Sequence, residues 1–388
     1  MKLNKDVCVI GGGIMGLMTA YYLCKRGRSV VILEKSEIGS GASGACDDMI
    51  LLQSKKPGIA LTLAMESLEM FPGLCDELGG DLGFETRGGM ILIEDEKQLR
   101  VMESFVGEQR KYGLKVDILD RAAMRKKQPH VADYMLASTY SATDSQVDPL
   151  RLMRALLRSA TKKGMEIFRG APVVSIERLG DHWAVAARDD LMVECDFVVV
   201  AAGAWSRQVG ELIGVNIPII PLKGQLAITE QIAPIGETNV WSAMYIAAKL
   251  DPTIMPERSE YDKKIGLSFS FTQTSTGNYL IGSTREHAGY DKSTAFEAIQ
   301  KIMNQVRGFF PVMDSVNVIR TIAGFRPASE DGSPIVGPID QRPGIFVAAG
   351  HEGDGVALAP VTGKAVADMV CGKGDRLRFD PLNLRRFA

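Results

Sequence analysis

From Val7 to Cys24 the chain runs through 18 largely apolar residues. That is near the 20 or so that a membrane-spanning helix needs. The pattern inside the run points elsewhere. Val7-Cys8-Val9-Ile10 is a short, mostly β-branched stretch that suits a buried strand. Gly11, Gly12, Gly13 and Gly16 follow, and glycine is a poor helix residue. Ile14 to Lys25 then reads as a helix, with good formers at Leu17, Met18, Ala20 and Leu23. Residues 28–33 give a second strand, ending in Glu34. A secretory signal would show a small-residue cleavage site after its core, and here the chain passes straight into a strand. The segment predicts strand, tight turn, helix and strand.

The same reading predicts helices over 59–78, 149–163 and 295–309, with Asp148-Pro149 as N-cap and first-turn proline. Residues 87–93 read as a strand after a glycine turn. Residues 266–272 and 279–282, joined by Thr-Gly-Asn, read as a hairpin. Residues 195–206 run from an acid through a buried strand into Ala201-Ala202-Gly203. Residues 345–349 form another strand, followed by a glycine turn (Gly350, Gly353, Gly355) and a helix from about Val356.

At 388 residues the chain is long enough for two domains of ordinary size. A hydrophobic share of 46% and a charged share of 24% fit a soluble globular protein. A net charge of −2 gives no electrostatic footprint for nucleic acid or an anionic membrane. The six cysteines form no CxxC pair and the four histidines are dispersed, so no metal site is expected. Reduced thiols and a cytoplasmic location are the expectation.

Gly11-x-Gly13-x-x-Gly16 fits the dinucleotide fingerprint. Gly11 allows the sharp turn, Gly13 lets a pyrophosphate approach the backbone, and Gly16 lets the helix pack on the sheet. The helix amino end offers free N–H groups and partial positive charge to phosphates. Glu34, 21 positions after Gly13, stands where a carboxylate accepts from ribose hydroxyls. The small-residue loop 36–44 lets backbone lie against a ligand, with Ser40 and Ser43 as donors. The amino end of the last helix is a second preorganised donor site, suited to the negative charge of a reduced flavin.

The ordered set GGGIMG, LEK, GSGASG, VVVAAGAWS, PLKGQ, GFRPASEDGSPIVG and GHEGDGVALAPVTGK resembles the FAD-dependent amine oxidoreductases of the D-amino-acid oxidase superfamily. It is most similar to the glycine and sarcosine oxidase branch and to the β subunits of proline, hydroxyproline and opine dehydrogenases. The resemblance spans the chain. It implies an α/β fold: a Rossmann-like FAD domain of glutathione-reductase type from 1–86, 146–222 and 321–388, and a mostly antiparallel substrate domain from 87–145 and 223–320. It implies that FAD meets Gly11, Gly13, Ile14, Met15 and Gly16, then Glu34 and Lys35, then Ser40, Gly41, Ala42, Ser43 and Gly44. Further contacts are Val173, Val174, Ala202, Gly203, Trp205, Gly324 and Arg326, and the last turn from Gly350 through His351, Glu352, Gly353, Asp354 and Gly355 to Val356. Covalent relatives use a cysteine before the last strand or a histidine near the early loop. Residues 321–340 hold no cysteine and 36–60 no histidine, so the FAD is expected to be non-covalent.

The implied reaction moves a hydride from the amine-bearing carbon to flavin N5. The substrate would be a small secondary or D-amino acid of hydroxyproline, proline, sarcosine, glycine or opine type. A substrate carboxylate calls for a bidentate arginine, and Arg326 in the GxRP motif is the expected clamp. The alternatives are a structural pairing of Arg326 with Glu330 or Asp331, or Arg320 as the clamp. Where glycine oxidases place tyrosines this chain has 268–273, so one or both of Phe269 and Phe271 are expected to wall the pocket and Gln273 to replace a tyrosine hydroxyl, the alternative being that Phe269 and Phe271 are core. Tyr245 and His351 are further candidates. By resemblance the stretch Ala45-Cys46-Asp47-Asp48-Met49 should lie near the ring, the alternative being that Asp47 and Asp48 are solvated loop acids. Leu280 replaces the flavin-side lysine of monomeric sarcosine oxidases, which favours a dehydrogenase handing electrons to partner subunits. A peroxide-producing oxidase and a non-catalytic relay subunit remain the alternatives.

Overall fold

The computed structural model describes residues 1–254, 257–374 and 376–388, and the side chains of Tyr245, Ala248, Lys249, Pro252 and Arg376 lie outside the described set. The protein is built on two eight-stranded sheets. In the first, strand Lys2–Ile10 lies between Leu191–Val200 and Val30–Leu33, parallel to both. Ile345–Ala349 and Glu166–Phe168 extend it, also in parallel. All four residues of Val30–Leu33 are buried, as expected for a strand covered on both faces. The helix Ile14–Lys25 is buried from Ile14 through Cys24, because two helices cover it. One of them, Gly355–Val370, approaches so closely that a Cβ on Gly363 would stand 2.6 Å from Met18 Cγ. An apolar run that would suit a membrane is thus a buried strand, a glycine turn and a central helix of a layered core. Among the described residues no helix is long and apolar enough to cross a membrane.

The second sheet is antiparallel at every neighbouring pair except Asn239–Ser242 with Gly89–Ile93. Its hairpin pairs Ser270–Gln273 with Asn278–Gly282, where periodicity and the Thr-Gly-Asn turn predict it. The helices predicted over 59–78, 149–163 and 295–309 appear as Ile59–Leu78, Pro149–Lys162 and Phe296–Phe309. Asp148 caps the second, accepting from the N–H groups of Leu150 at 2.9 Å and Arg151 at 3.0 Å. The long strands Ile219–Gln231 and Val318–Ser329 pair from Ile219–Ser329 to Thr229–Val318. The expected boundaries at 222/223 and 320/321 fall inside these two strands, both of which belong to the second sheet.

Candidate active site

The strand Lys2–Ile10 ends in Gly11 at φ +115°, where a Cβ would stand 2.4 Å from the Ala201 carbonyl oxygen. A Cβ on Gly16 would stand 2.0 Å from the Gly11 carbonyl oxygen. Both positions therefore exclude any side chain. Gly13 faces the small-residue loop, with Ser43 Oγ 3.3 Å from its ideal Cβ position. Ser43 Oγ accepts from the Ile14 N–H at 3.1 Å, which leaves the hydroxyl proton for a ligand. The Glu34 carboxylate accepts from Gly12 N–H at 2.7 Å and Ser36 N–H at 2.8 Å. Its role begins with bracing the turn, and each oxygen keeps a lone pair.

A cavity of about 560 Å³ opens from this turn to the junction of the two sheets, a size that suits an organic ligand. Gly11, Gly13, Ile14, Met15, Glu34, Lys35 and the loop Ser40 to Ser43 line one end. Val173, Ala202, Gly203 and Trp205 flank it. Lys35 Nζ lies 3.3 Å from the centre of the Trp205 ring, and Tyr290 stacks on that indole at 5.3 Å. Burial lowers the Lys35 pKa. Gly324, Arg326 and the turn from His351 to Val356 line the other end.

Four residues expected at the cofactor lie outside the cavity. Gly16 acts from behind, by packing. Gly44 closes its loop, where a Cβ would meet the Gly39 carbonyl oxygen at 2.3 Å. Gly350 takes a turn at φ +79°. Val174 is 55% exposed, because strand alternation turns it away from its cavity-lining neighbour Val173.

Arg326 stands on Val318–Ser329, opposite Leu222. Its Nη1 donates to the Thr284 carbonyl at 2.8 Å and its Nη2 to Ser283 Oγ at 2.9 Å. A Cβ on Gly224 would stand 2.3 Å from Nη1, so that glycine makes room for the guanidinium. Asp331 is engaged by Arg386 at 2.7 Å. Arg320, the competing arginine, is exposed and outside the cavity. Arg285, which also lines the cavity, pairs with Glu352.

Two expected pocket residues lie elsewhere. Phe271 is buried in an aromatic cluster, stacked on Tyr279 at 4.4 Å and Phe310 at 4.7 Å. Gln273 Nε2 donates to the carbonyls of Ile232 at 2.9 Å and Gly277 at 3.2 Å, tying down the hairpin. Phe269, Phe271 and the helix Phe296–Phe309 share one side of this sheet; Phe269 also lines the cavity, whereas Phe271 and Gln273 do not. Leu280 lies on the opposite face, in register with Thr272. The Tyr245 side chain lies outside the described residues.

Asp47 lines the cavity and is no solvated loop acid: burial raises its pKa, opposed chiefly by the Arg326 charge. Behind it, burial and the charges of Asp148 and Asp47 push Asp48 up to about 8. His351 is buried, with Nε2 3.1 Å from Thr362 Oγ1. Burial lowers its pKa to about 4, so it is neutral at ordinary pH. Its Nδ1 has no protein partner among the described residues. That orphaned nitrogen, the uncapped start of Gly355–Val370 and the close-packed glycine turn fit a dinucleotide flavin lying along the cavity.

Sequence reasoning missed Lys55 and Arg285, both of which line the cavity, whereas Cys46 lines it as expected of the stretch 45–49. Lys55 and Arg285 read locally as surface charges, and only contacts distant in sequence bury them.

A sheet with a parallel centre, a glycine turn and a strand-end acid, closed by a second sheet that carries an arginine into the same cavity, defines a dinucleotide-dependent oxidoreductase. The FAD dependent oxidoreductase family description matches residues 6–369. The chain belongs to that family: it is an enzyme, and FAD is its cofactor. It is 28% identical to the glycine oxidase of Geobacillus kaustophilus (strain HTA426), over 100% of this chain and 98% of that one. It is 27% identical to hydrogen cyanide synthase subunit HcnC of Pseudomonas aeruginosa, over 100% and 97% respectively. The crystal structure of glycine oxidase from Geobacillus kaustophilus matches with a TM-score of 0.88 at 26% identity, covering 98% of each chain.

Proposed function

We propose that the protein oxidises a small secondary or D-amino acid, of hydroxyproline, proline, sarcosine, glycine or opine type, as the catalytic subunit of a dehydrogenase complex. Bound FAD supplies the hydride acceptor at N5. The observation that carries the reading is Arg326: a guanidinium held by Ser283 and Thr284 at the junction of the sheets. It grips the substrate carboxylate through charge-assisted hydrogen bonds. Fixing that end aligns the amine-bearing carbon and replaces water at the site. Neutral His351 presents Nδ1 to the cofactor, and Asp47 faces the substrate amine.

In this reading the first sheet, from 1–86, 146–222 and 321–388, is the FAD domain, and 87–145 with 223–320 is the substrate domain. The FAD is non-covalent. The Cys46 thiol lies in the cavity, but burial and the neighbouring Asp47 and Asp48 raise its pKa well above the usual value, so it is a poor nucleophile. All six cysteines are free, which supports a cytoplasmic site. Leu280 in place of a cation supports electron transfer to partner subunits, as does likeness to HcnC. The full-length likeness to glycine oxidases supports a second reading, a self-sufficient oxidase.

Anaerobic titration of the flavin absorbance with amino acids, N-methyl amino acids and opines tests the proposal. One class should bleach the flavin rapidly, and failure of every carboxylate-bearing amine removes the reading. Turnover with an artificial dye but not with oxygen separates the dehydrogenase from the oxidase, which would release peroxide.

A further inference from the structure

Lys55 is buried, at 6% side-chain exposure, and lines the cavity. It is carried there by a turn held from behind. The Leu52 N–H donates to Asp144 Oδ1 at 2.8 Å, and Gln53 Nε2 to Asp144 Oδ2 at 2.7 Å. Gln109 Nε2 donates to the carbonyls of Gln53 at 3.0 Å and Lys55 at 2.8 Å. The ammonium has three N–H groups. One goes to Asp354 Oδ1 at 2.6 Å and one to Ser54 Oγ at 2.9 Å. The third has no protein partner among the described residues.

A buried ammonium with an open donor calls for an acceptor. Asp354 offsets its charge only in part, since that carboxylate is 42% exposed and screened by solvent. The adjacent Lys56 also lines the cavity and reaches a neighbouring pocket bordered by Lys97, Arg100, Glu108 and Asp251. Arg326 is close by. Its Nε lies 3.9 Å from the ideal Cβ position of Gly353, and the next residue is Asp354. Arg326 therefore passes this turn at Gly353, and Lys55 pairs with the next residue, Asp354. Burial is the largest cause of the raised Asp47 pKa, and the charges of both Arg326 and Lys55 oppose it.

We propose that Lys55 binds a second anionic group of the substrate, so that the substrate class is an amino dicarboxylate, with one carboxylate on Arg326 and the other on Lys55. This inference rests on the reading of Arg326 as a carboxylate clamp. Glutarate and pentanoate, of equal chain length, serve as inert probes. Their binding to the FAD-loaded enzyme is read by perturbation of the flavin spectrum and by calorimetry. Glutarate should bind about 10-fold or more tightly than pentanoate. Lys55→Met, or Lys55→Gln if the first variant folds poorly, should abolish that advantage. An equal affinity in the unmodified enzyme overturns the proposal whatever the variants do. An advantage that survives in a folded Lys55 variant overturns it too. Amino acids that bleach the flavin without any glutarate advantage would remove this inference alone. Failure of both probes and of every amino acid would remove the clamp with it.

Discussion

The buried carboxylate of Asp144 accepts a 2.7 Å hydrogen bond from the Gln53 amide, at the back of the turn that carries Lys55 into the cavity. Burial nonetheless pushes the Asp144 pKa up to about 7, against the opposing bonds from Gln53 and Leu52. The folded state therefore binds the proton more tightly than the unfolded chain. The contribution to stability is full below the unfolded value of 3.8 and is lost as pH rises through about 7. Asp144→Asn should remove a decline on the order of a few kcal/mol between these limits. Melting temperatures of both proteins between pH 4 and pH 8 check this, and parallel curves would refute it.

His351 works in the opposite direction over an overlapping range. Its folded pKa of about 4 lies below the ordinary 6.5 because burial disfavours the charged ring. Its contribution is full above 6.5 and is lost as pH falls through about 4. The two slopes partly cancel in the native protein, so only single variants expose them. In His351→Gln the acid-side loss of melting temperature should shrink. Because the ring is neutral above pH 6, this variant should leave the pH profile of flavin bleaching unchanged there.

Replacing Gly11 or Gly16 by alanine should produce a colourless protein. A methyl group at either position meets a carbonyl oxygen at 2.4 Å or 2.0 Å, so the turn must shift. The cost to stability is about 1–3 kcal/mol. Flavin absorbance per chain after purification, with thermal melting, measures both effects. Retention of FAD at full occupancy would remove the turn from the cofactor site.

Arg326→Ala should weaken binding of a carboxylate ligand by about 2–5 kcal/mol, since it leaves a desolvated anion unpaired. Flavin absorbance should be retained, because the turns at the opposite end are untouched. Spectral titration with a simple carboxylate measures the loss, and unchanged affinity would take Arg326 out of the substrate site.

Much of this fold is legible in the chain, and the reason is local. Ile14–Lys25, Ile59–Leu78 and Ile345–Ala349 stand where periodicity and glycine punctuation put them. The Asp148 cap and the hairpin turn are likewise set by neighbouring residues. Strand alternation, however, depends on which face is covered. Phe271 and Gln273 read as pocket residues because they stand where the resembling glycine oxidases place tyrosines. The helix Phe296–Phe309 covers that side of the sheet and makes Phe271 core, while Gln273 spends its amide on the hairpin.

By itself the sequence determined the glycine turn and the acid after the second strand, and its GxRP motif singled out Arg326, because each is a short local pattern, although Ser283 and Thr284 hold that guanidinium from 43 and 42 positions away. The tertiary structure alone decided that Lys55 enters the cavity. Its turn is held by Asp144, 91 positions from Gln53, and its charge is met by Asp354, 299 positions away. Burial of a charge depends on what packs around it, and no local pattern carries that information.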